Sequence, residues 1–241
     1  MPIEKLDSPK KIVEDCICTV KEFPAMKPKI NCLITAGPTR EYFDPVRYIS
    51  NPSSGKMGVS LAKAASNAGW NVTLILGPSD LPDPENVKTV RVVSAQEMLE
   101  ACVKYFDSSN ILIMSAAVSD VRPKNTQKHK LKKEDIDLTP ELERTPDILK
   151  ELSLRKKNQI LVGFAAETDN LREYASKKLV EKNLDCIAAN IVGGSKGGFA
   201  SGDNQITLIM RSGEIFEFNL GTKDSISKRL IDFLDTRYFQ A

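Results

Sequence analysis

Histidine is nearly absent from this sequence: His129 is the single one in 241 residues, and that scarcity removes several chemistries at once. With no second imidazole, neither a His-rich zinc centre nor a metalloprotease pair of histidines can be assembled within the chain. A Ser-His-Asp hydrolase would have to recruit His129 from a lysine-rich stretch with no strained nucleophile turn nearby. Long apolar runs are also missing. None approaches the ~20 residues that span a bilayer, and the amino-terminal MPIEKLDSPKK lacks the apolar core of a secretory signal, so a cytoplasmic protein is expected. Nor is there an excess of one charge: 34 Lys and Arg against 32 Asp and Glu leave a net of +2, too little for a global field toward nucleic acid or an anionic membrane. Any basic site must be local. Cysteine is sparse and odd in number; Cys16, Cys18, Cys32, Cys102 and Cys186 are scattered, three of them in apolar segments where a thiol behaves as a small hydrophobe, and all five read as reduced.

What the chain does have is alternation. Residues 29–36 (KINCLITA) form a β-branched apolar run stopped by Gly37-Pro38, the pattern of a buried central strand. Residues 59–68 carry Val59, Leu61, Ala62, Ala64, Ala65 and Ala68 on a helical face that stops at Gly69, and 71–76 (NVTLIL) is a second strand. Strand, loop, helix and strand in that order make a βαβ unit whose right-handed crossover sets the strands parallel. The pattern continues with strand 87–93, helix 95–106, strand 110–114, helix 146–156 with Pro in its first turn, strand 159–164, helix 171–182 and strand 184–188. It predicts an α/β, Rossmann-like fold, a mostly parallel sheet with helices on both faces. Residues 206–210 and 215–220, joined across Ser212-Gly213, predict a β-hairpin at one sheet edge, and 223–239 a closing amphipathic helix. Residues 29–241 are thus expected to form one nucleotide-binding domain. Three irregular segments interrupt the scheme: a leader or linker at 1–28 with a helix-like patch at 12–20, a lysine-rich loop region at 121–145 expected to be mobile, and the glycine-rich 193–204.

In such a sheet, ligands bind past the carboxyl ends of the strands. Residues 50–58 (SNPSSGKMG) suit a turn with inward-pointing amides, and the positive end of the following helix favours a phosphate. This is not a Walker A loop, since Met57 stands where Ser or Thr should follow Gly-Lys, nor a G-x-G-x-x-G fingerprint, and an ordinary Ser/Gly helix cap stays equally open. After the strand ending at Met114, small residues from Ser115 to Ser119 let a ligand approach the backbone, and Asp120 can accept from a hydroxyl or amine; the bland counterpart is a packed strand end with a helix-capping aspartate. GFAAET at 163–168 follows another strand, with Phe164 either against a flat ring or simply in the core. Lys124, Lys128, Lys130, Lys132 and Lys133 either clamp a triphosphate or coat a solvated surface.

The blocks ITAGPTREYFDPVRYISNPSSGKMG, SAAVSDVRP, KLKK, TPDIL, VGFAAETDN and LDCIAAN occur in this order, and from about Lys29 to Tyr238 the chain resembles the phosphopantothenate–cysteine ligases of coenzyme A biosynthesis. The resemblance implies that a nucleoside triphosphate activates the carboxylate of 4'-phosphopantothenate, releasing pyrophosphate, and that the amine of L-cysteine then attacks the acyl-nucleotide. Such phosphate-rich chemistry calls for an anion nest, lysines and Mg2+ but no protein nucleophile. Carried onto this sequence, Asn51 holds the acyl intermediate, and Arg47 is supplied across a homodimer interface to the substrate phosphate. Gly37, Ser54, Gly55 and Gly58 belong to the phosphate cradle, while Met114, Ser115, Ala116 and Asp120 contact the nucleotide, with Ala116, Ala117 and Asp120 also at the acyl site. Lys130 opens the K-x-K-K pattern and acts on the triphosphate. Pro146, Asp147, Ile148 and Leu149 line the nucleotide pocket, Phe164 is its ring contact, and Lys178 and Lys182 are more distant basic residues.

Departures from the family pattern are Pro52 and the filler after Val121-Arg122. Bacterial members use CTP and eukaryotic ones ATP; the K-x-K-K block and compact spacing resemble the bacterial form, so CTP is the expected co-substrate. SPKKIVEDCI resembles the linker behind the decarboxylase domain of bifunctional bacterial enzymes, which makes a fused or separate phosphopantothenoylcysteine decarboxylase an expected partner. Two other classes compete. A short-chain dehydrogenase-like reductase would need a glycine fingerprint that is missing and a Tyr-x-x-x-Lys pair, for which only Tyr174 and Lys178 have the spacing. A non-catalytic nucleotide-binding module would have no use for Asn51.

Overall fold

The computed structural model describes residues 29–135, 137–167, 171–191 and 203–240. The leader at 1–28, Thr168 to Asn170, the side chain of Tyr174 and most of the glycine-rich segment lie outside the described residues. Strand β1 (Asn31–Ala36) is central, with its last five residues buried. It pairs in parallel with β4 (Asn71–Leu76) on one side and β6 (Ile111–Met114) on the other. Beyond β4 lies β5 (Lys88–Arg91); beyond β6 lie β9 (Ile160–Glu167) and β10 (Cys186–Ile191), all parallel. A hairpin of β11 (Asp203–Met210) and β12 (Ile215–Thr222) adds two antiparallel strands, giving the order β12-β11-β10-β9-β6-β1-β4-β5. The hairpin closes the β10 edge, as its Ser-Gly turn predicted, with Gly213 in the left-handed region at φ 91°.

Helices cover both faces. On one, α1 (Lys56–Asn67) and α5 (Lys223–Phe239) bury Leu61, Ala65, Leu230 and Leu234 against Ile34, Leu74, Ile113 and Leu208. On the other, α2 (Ala95–Phe106), α3 (Ile148–Arg155) and α4 (Leu171–Glu181) set Met98, Phe106, Leu152 and Leu179 against Leu33, Ile75, Leu112 and Leu161. Neighbours such as Leu33 and Ile34 therefore sort to opposite cores with the period of two that a strand imposes. Because both faces are covered, these strands read in the sequence as unbroken apolar runs. Cys32, Cys102 and Cys186 are buried free thiols; burial raises all three, Cys102 and Cys186 to about 12. Among the described residues no helix is long and apolar enough to cross a membrane.

Three features differ from the expectations. The connection from β1 to α1 carries a two-stranded ribbon, β2 (Arg40–Tyr42) with β3 (Tyr48–Ser50). The lysine-rich region is framed by a second ribbon, β7 (Val121–Pro123) with β8 (Leu142–Arg144), so Asp120 leads into a strand and caps no helix. The ribbons are tied together: Gln127 N donates to Phe43 O at 2.8 Å and Thr126 Oγ1 to Tyr42 O at 3.0 Å. Helix α3 begins at Ile148 instead of Pro146, because Asp147 takes the N-cap position and accepts from Lys150 N at 3.1 Å.

Helix α1 starts at Lys56, three residues before its apolar stripe, and its first turn lies hard against the sheet. A Cβ added at Gly58 would sit 2.4 Å from Ala36 Cβ and 2.6 Å from Ser115 Oγ. Gly58→Ala is therefore expected to destabilise the fold by about 1–3 kcal/mol through overpacking. A lowered midpoint in thermal denaturation checks this, and an unchanged one would mean that α1 lifts from the strands without cost.

Candidate active site

The chain's path reverses between β1 and β6: β1 leads to β4 and β5 on one side, while β6 leads to β9 and β10 on the other. Connections diverge at such a point and leave a crevice beyond the strand ends. A cavity of about 630 Å³ lies there, lined by Asn51 and residues 53–58 from the approach to α1, by Met114 to Val118 and Asp120 after β6, by Arg144 to Lys150 around the start of α3, and by Phe164 and Ala165 of β9. Lys178 and Lys182 from and just after α4, and Lys223 from α5, complete it.

Backbone geometry builds the cradle. Gly55, at φ 77°, is the N-cap of α1, and a Cβ on it would come 3.2 Å from Gly37 Cα, so the absence of a side chain at Gly55 lets the two loops stack closely. No acidic residue occupies the first turn of α1, which leaves the positive helix end open to an anion in the cavity. The loop after β6 is laced to the loop after β1: Ser115 Oγ donates to Thr35 O at 2.6 Å, Ala116 N to Thr35 Oγ1 at 3.2 Å and Ala117 N to Gly37 O at 2.9 Å. Asn51 adds a further strap, with Nδ2 donating to Ala117 O at 3.3 Å and Val118 O at 2.9 Å.

The lining charges are unequal. Lys56, Arg144, Lys150, Lys178, Lys182 and Lys223 face Asp120 and Asp147, and Asp147 is itself paired with Lys182 at 3.0 Å. Lys223 is only 9% exposed; burial, and then the nearby charge of Lys56, lower its pKa. The lining thus suits a polyanion, and Phe164, Ile148 and Leu149 offer apolar surface beside the cations. Among the described residues no cluster of three His, Cys, Asp or Glu could hold a metal ion. Asp120 and Asp147 alone suit a Mg2+ held chiefly by phosphate oxygens and water.

Of the residues singled out in the sequence, Asn51, Ser54, Gly55, Gly58, Met114, Ser115, Ala116, Ala117, Asp120, Pro146, Asp147, Ile148, Leu149, Phe164, Lys178 and Lys182 line this one cavity. Three do not. Gly37 lies behind the cradle against Gly55, and Lys130 is exposed on the segment between β7 and β8. Arg47 is turned to Asp44, at 2.6 Å, and to Leu131 O, at 3.3 Å. Sequence reading missed Lys56, Arg144, Lys150 and Lys223. Lys56 lay within the quoted SSGK motif, whereas no local pattern marks a lysine at the start of the terminal helix.

Residues 28–237 match the family described as the C-terminal domain of DNA/pantothenate metabolism flavoproteins. The chain belongs to that family. It is 48% identical over 200 residues to the coenzyme A biosynthesis bifunctional protein CoaBC of Bacillus subtilis, covering 83% of this chain and 49% of that protein. The chain thus spans about half the length of the curated relative it matches. A crystal structure of the C-terminal domain of a coenzyme A biosynthesis bifunctional protein CoaBC is 42% identical with a TM-score of 0.75, covering 88% of this chain and 97% of that one. At 17% identity and a TM-score of 0.70, a Cab2 mutant in complex with phosphopantothenate-cysteine has the same fold, covering 95% of this chain and 92% of that one. This chain shares its α/β architecture with those two structures.

Asp147 both caps α3 and pairs with Lys182. Asp147→Ala is expected to lower stability by about 1 kcal/mol through the lost cap. The cavity meanwhile becomes more positive, so affinity for inorganic pyrophosphate should not fall. Urea denaturation beside calorimetric titration checks both halves.

Proposed function

We propose that this chain is a phosphopantothenate–cysteine ligase domain, joining 4'-phosphopantothenate to L-cysteine in coenzyme A biosynthesis with CTP as co-substrate, through an acyl-cytidylate, releasing pyrophosphate and then CMP. The observation that carries this reading is a cavity with six cations against two carboxylates, set at a helix amino terminus beyond the switch point of the sheet, in a chain of this family. Its cations, helix end and backbone amides support positioning and charge stabilisation of a phosphate-rich reactant. CTP in place of ATP rests on the K-x-K-K block.

In this reading the start of α1 and the lysines hold the triphosphate, while Phe164, Ile148 and Leu149 take the base. The substrate carboxylate attacks the α-phosphorus, and the bond to pyrophosphate breaks. When bound, Mg2+ neutralises charge on the phosphates. Asn51 and the backbone around Ala116 and Ala117 hold the acyl group, and the cysteine amine displaces CMP from it. Asp120, exposed at the cavity's edge, accepts a hydrogen bond from an incoming amine or hydroxyl. Lys130 folds over the triphosphate from its exposed position.

Two chains pair in this scheme, and Arg47 serves the neighbour's site. In its support, Arg47 lies outside its own cavity, on a ribbon where Val46 is 55% and Tyr48 42% exposed. Its guanidinium suits bidentate binding of a substrate phosphate. The enzyme works in the cytoplasm, beside a fused or separate phosphopantothenoylcysteine decarboxylase.

Pyrophosphate release on mixing the protein with CTP, Mg2+ and 4'-phosphopantothenate, followed by product on adding L-cysteine, tests the reading; no release would sink it. Asn51→Asp should slow the coupled reaction by roughly 10²–10³-fold, because a carboxylate repels the acyl oxygen and cannot donate. Near-normal turnover would remove Asn51 from the mechanism. For the shared site, the inactive variants Arg47→Ala and Asn51→Asp are mixed and allowed to exchange. Half the dimers are then hybrid with one intact site each, so about a quarter of wild-type activity should return. Mixtures that stay inactive despite demonstrated exchange would show that Arg47 does not cross between chains.

A further inference from the structure

We infer that Asp44 is a positioning residue for phosphate recognition: its buried carboxylate fixes the Arg47 guanidinium so that one edge stays free for a phosphate group of the substrate. This rests on the reading of Arg47 as a ligand of the substrate phosphate, and it holds whether that phosphate lies in the site of the same chain or of its neighbour. Asp44 is fully buried, at 0% exposure, and a charge so placed is stable only where donors answer it.

The two carboxylate oxygens divide the work. Oδ1 accepts from Val46 N at 2.8 Å and Arg47 N at 2.9 Å, which closes the turn between β2 and β3. Oδ2 accepts from Arg47 Nη1 at 2.6 Å and, where the ribbons cross, from Leu131 N at 3.2 Å. The guanidinium is gripped a second time by Leu131 O, which accepts from Nη1 at 3.3 Å and Nη2 at 3.4 Å. These contacts use both hydrogens of Nη1 and one of Nη2. The other Nη2 hydrogen and the Nε hydrogen share the remaining edge of the planar fork, and neither has a hydrogen-bond partner among the described residues. With the Arg47 side chain 36% exposed, that edge offers the two parallel donors that take a phosphate bidentately. An arginine held in this way has already lost much of the rotamer freedom that binding would otherwise cost. The turn needs only one carboxylate oxygen; the other is spent on orienting the guanidinium and on fastening the chain at Leu131 that completes its seat.

Asparagine at position 44 separates the two tasks, because its one amide oxygen can keep the turn while its NH2 group meets the donors of Arg47 and Leu131 and cannot accept from them. Calorimetric titration of the wild-type protein, D44N, R47A and the double variant with 4'-phosphopantothenate tests the inference, beside thermal melting without ligand. D44N and R47A should each bind about tenfold or more weakly, and adding D44N to R47A should weaken binding by no more than about twofold, since the aspartate acts only through the arginine. D44E, which keeps the charge but displaces the guanidinium, takes the place of D44N if that variant does not fold, with the same expected loss and the same cycle. Unchanged affinity in D44N overturns the inference, whatever its melting midpoint. So does an equal loss from D44N with and without Arg47, which marks a carboxylate that serves the fold alone. Wild-type protein that binds 4'-phosphopantothenate in an Asp44-dependent way but releases no pyrophosphate with CTP and Mg2+ would sink the ligase reading and leave this one standing.

Discussion

The close approach of Gly58 to Ala36 and Ser115 is the contact on which the site depends. A helix entering with any larger residue there would stand off from the strand ends, and its amino terminus would no longer open at the point where the sheet's connections diverge. Ala36 ends β1, Ser115 follows β6, and these are the two strands whose onward connections run to opposite sides. Pressing α1 onto both creates the crevice and aims backbone donors into it. The lacing from Ser115, Ala116 and Ala117 back to Thr35 and Gly37 then keeps the two loops from closing it. Close packing of α1 and an open, donor-lined helix end are here the same geometric requirement.

A chain with a net charge of +2 makes a strongly cationic cavity only by distributing its charges unevenly. The carboxylates on the lining are few, and one of them, Asp147, serves to cap α3 and steer Lys182. Ion pairs elsewhere, such as Arg91 with Asp83 or Lys228 with Asp232, lie in solvent where they contribute little to stability. The charges that matter are those from which water is partly withdrawn, since the same separation acts more strongly as the surroundings become less polarisable.

Much of this architecture was legible in the sequence, for identifiable reasons. The helix at Ala95–Phe106, the strand at Asn71–Leu76 and the terminal helix at Lys223–Phe239 have the bounds expected of them, because long periodic segments with a polar cap such as Ser94 or Thr222 announce both type and limits. The two ribbons were invisible: strands of three residues carry no measurable period, and theirs mix polar with apolar residues. Site residues carried by contiguous blocks could be found one after another along the chain. Lys223 could not, because only the tertiary pairing of α5 with α1 brings it to the cavity, 167 residues after Lys56.

The ribbons also join the segments that carry Arg47 and Lys130. Asp44 is buried, and burial works against its charge, yet amide donors from Val46, Arg47 and Leu131 and the Arg47 guanidinium outweigh that and hold its carboxyl below the usual range. The joint therefore stays ionised through mildly acidic conditions, and its contribution is lost only as pH falls through that lowered value. Leu131 is the chain neighbour of Lys130, and it meets Asp44 through its amide at 3.2 Å and Arg47 through its carbonyl at 3.3 Å. The segment that carries Lys130 is thus fastened to the ribbon that carries Arg47. The sequence gives no hint of this link, since Asp44 and Leu131 lie 87 residues apart and meet only where the two ribbons cross.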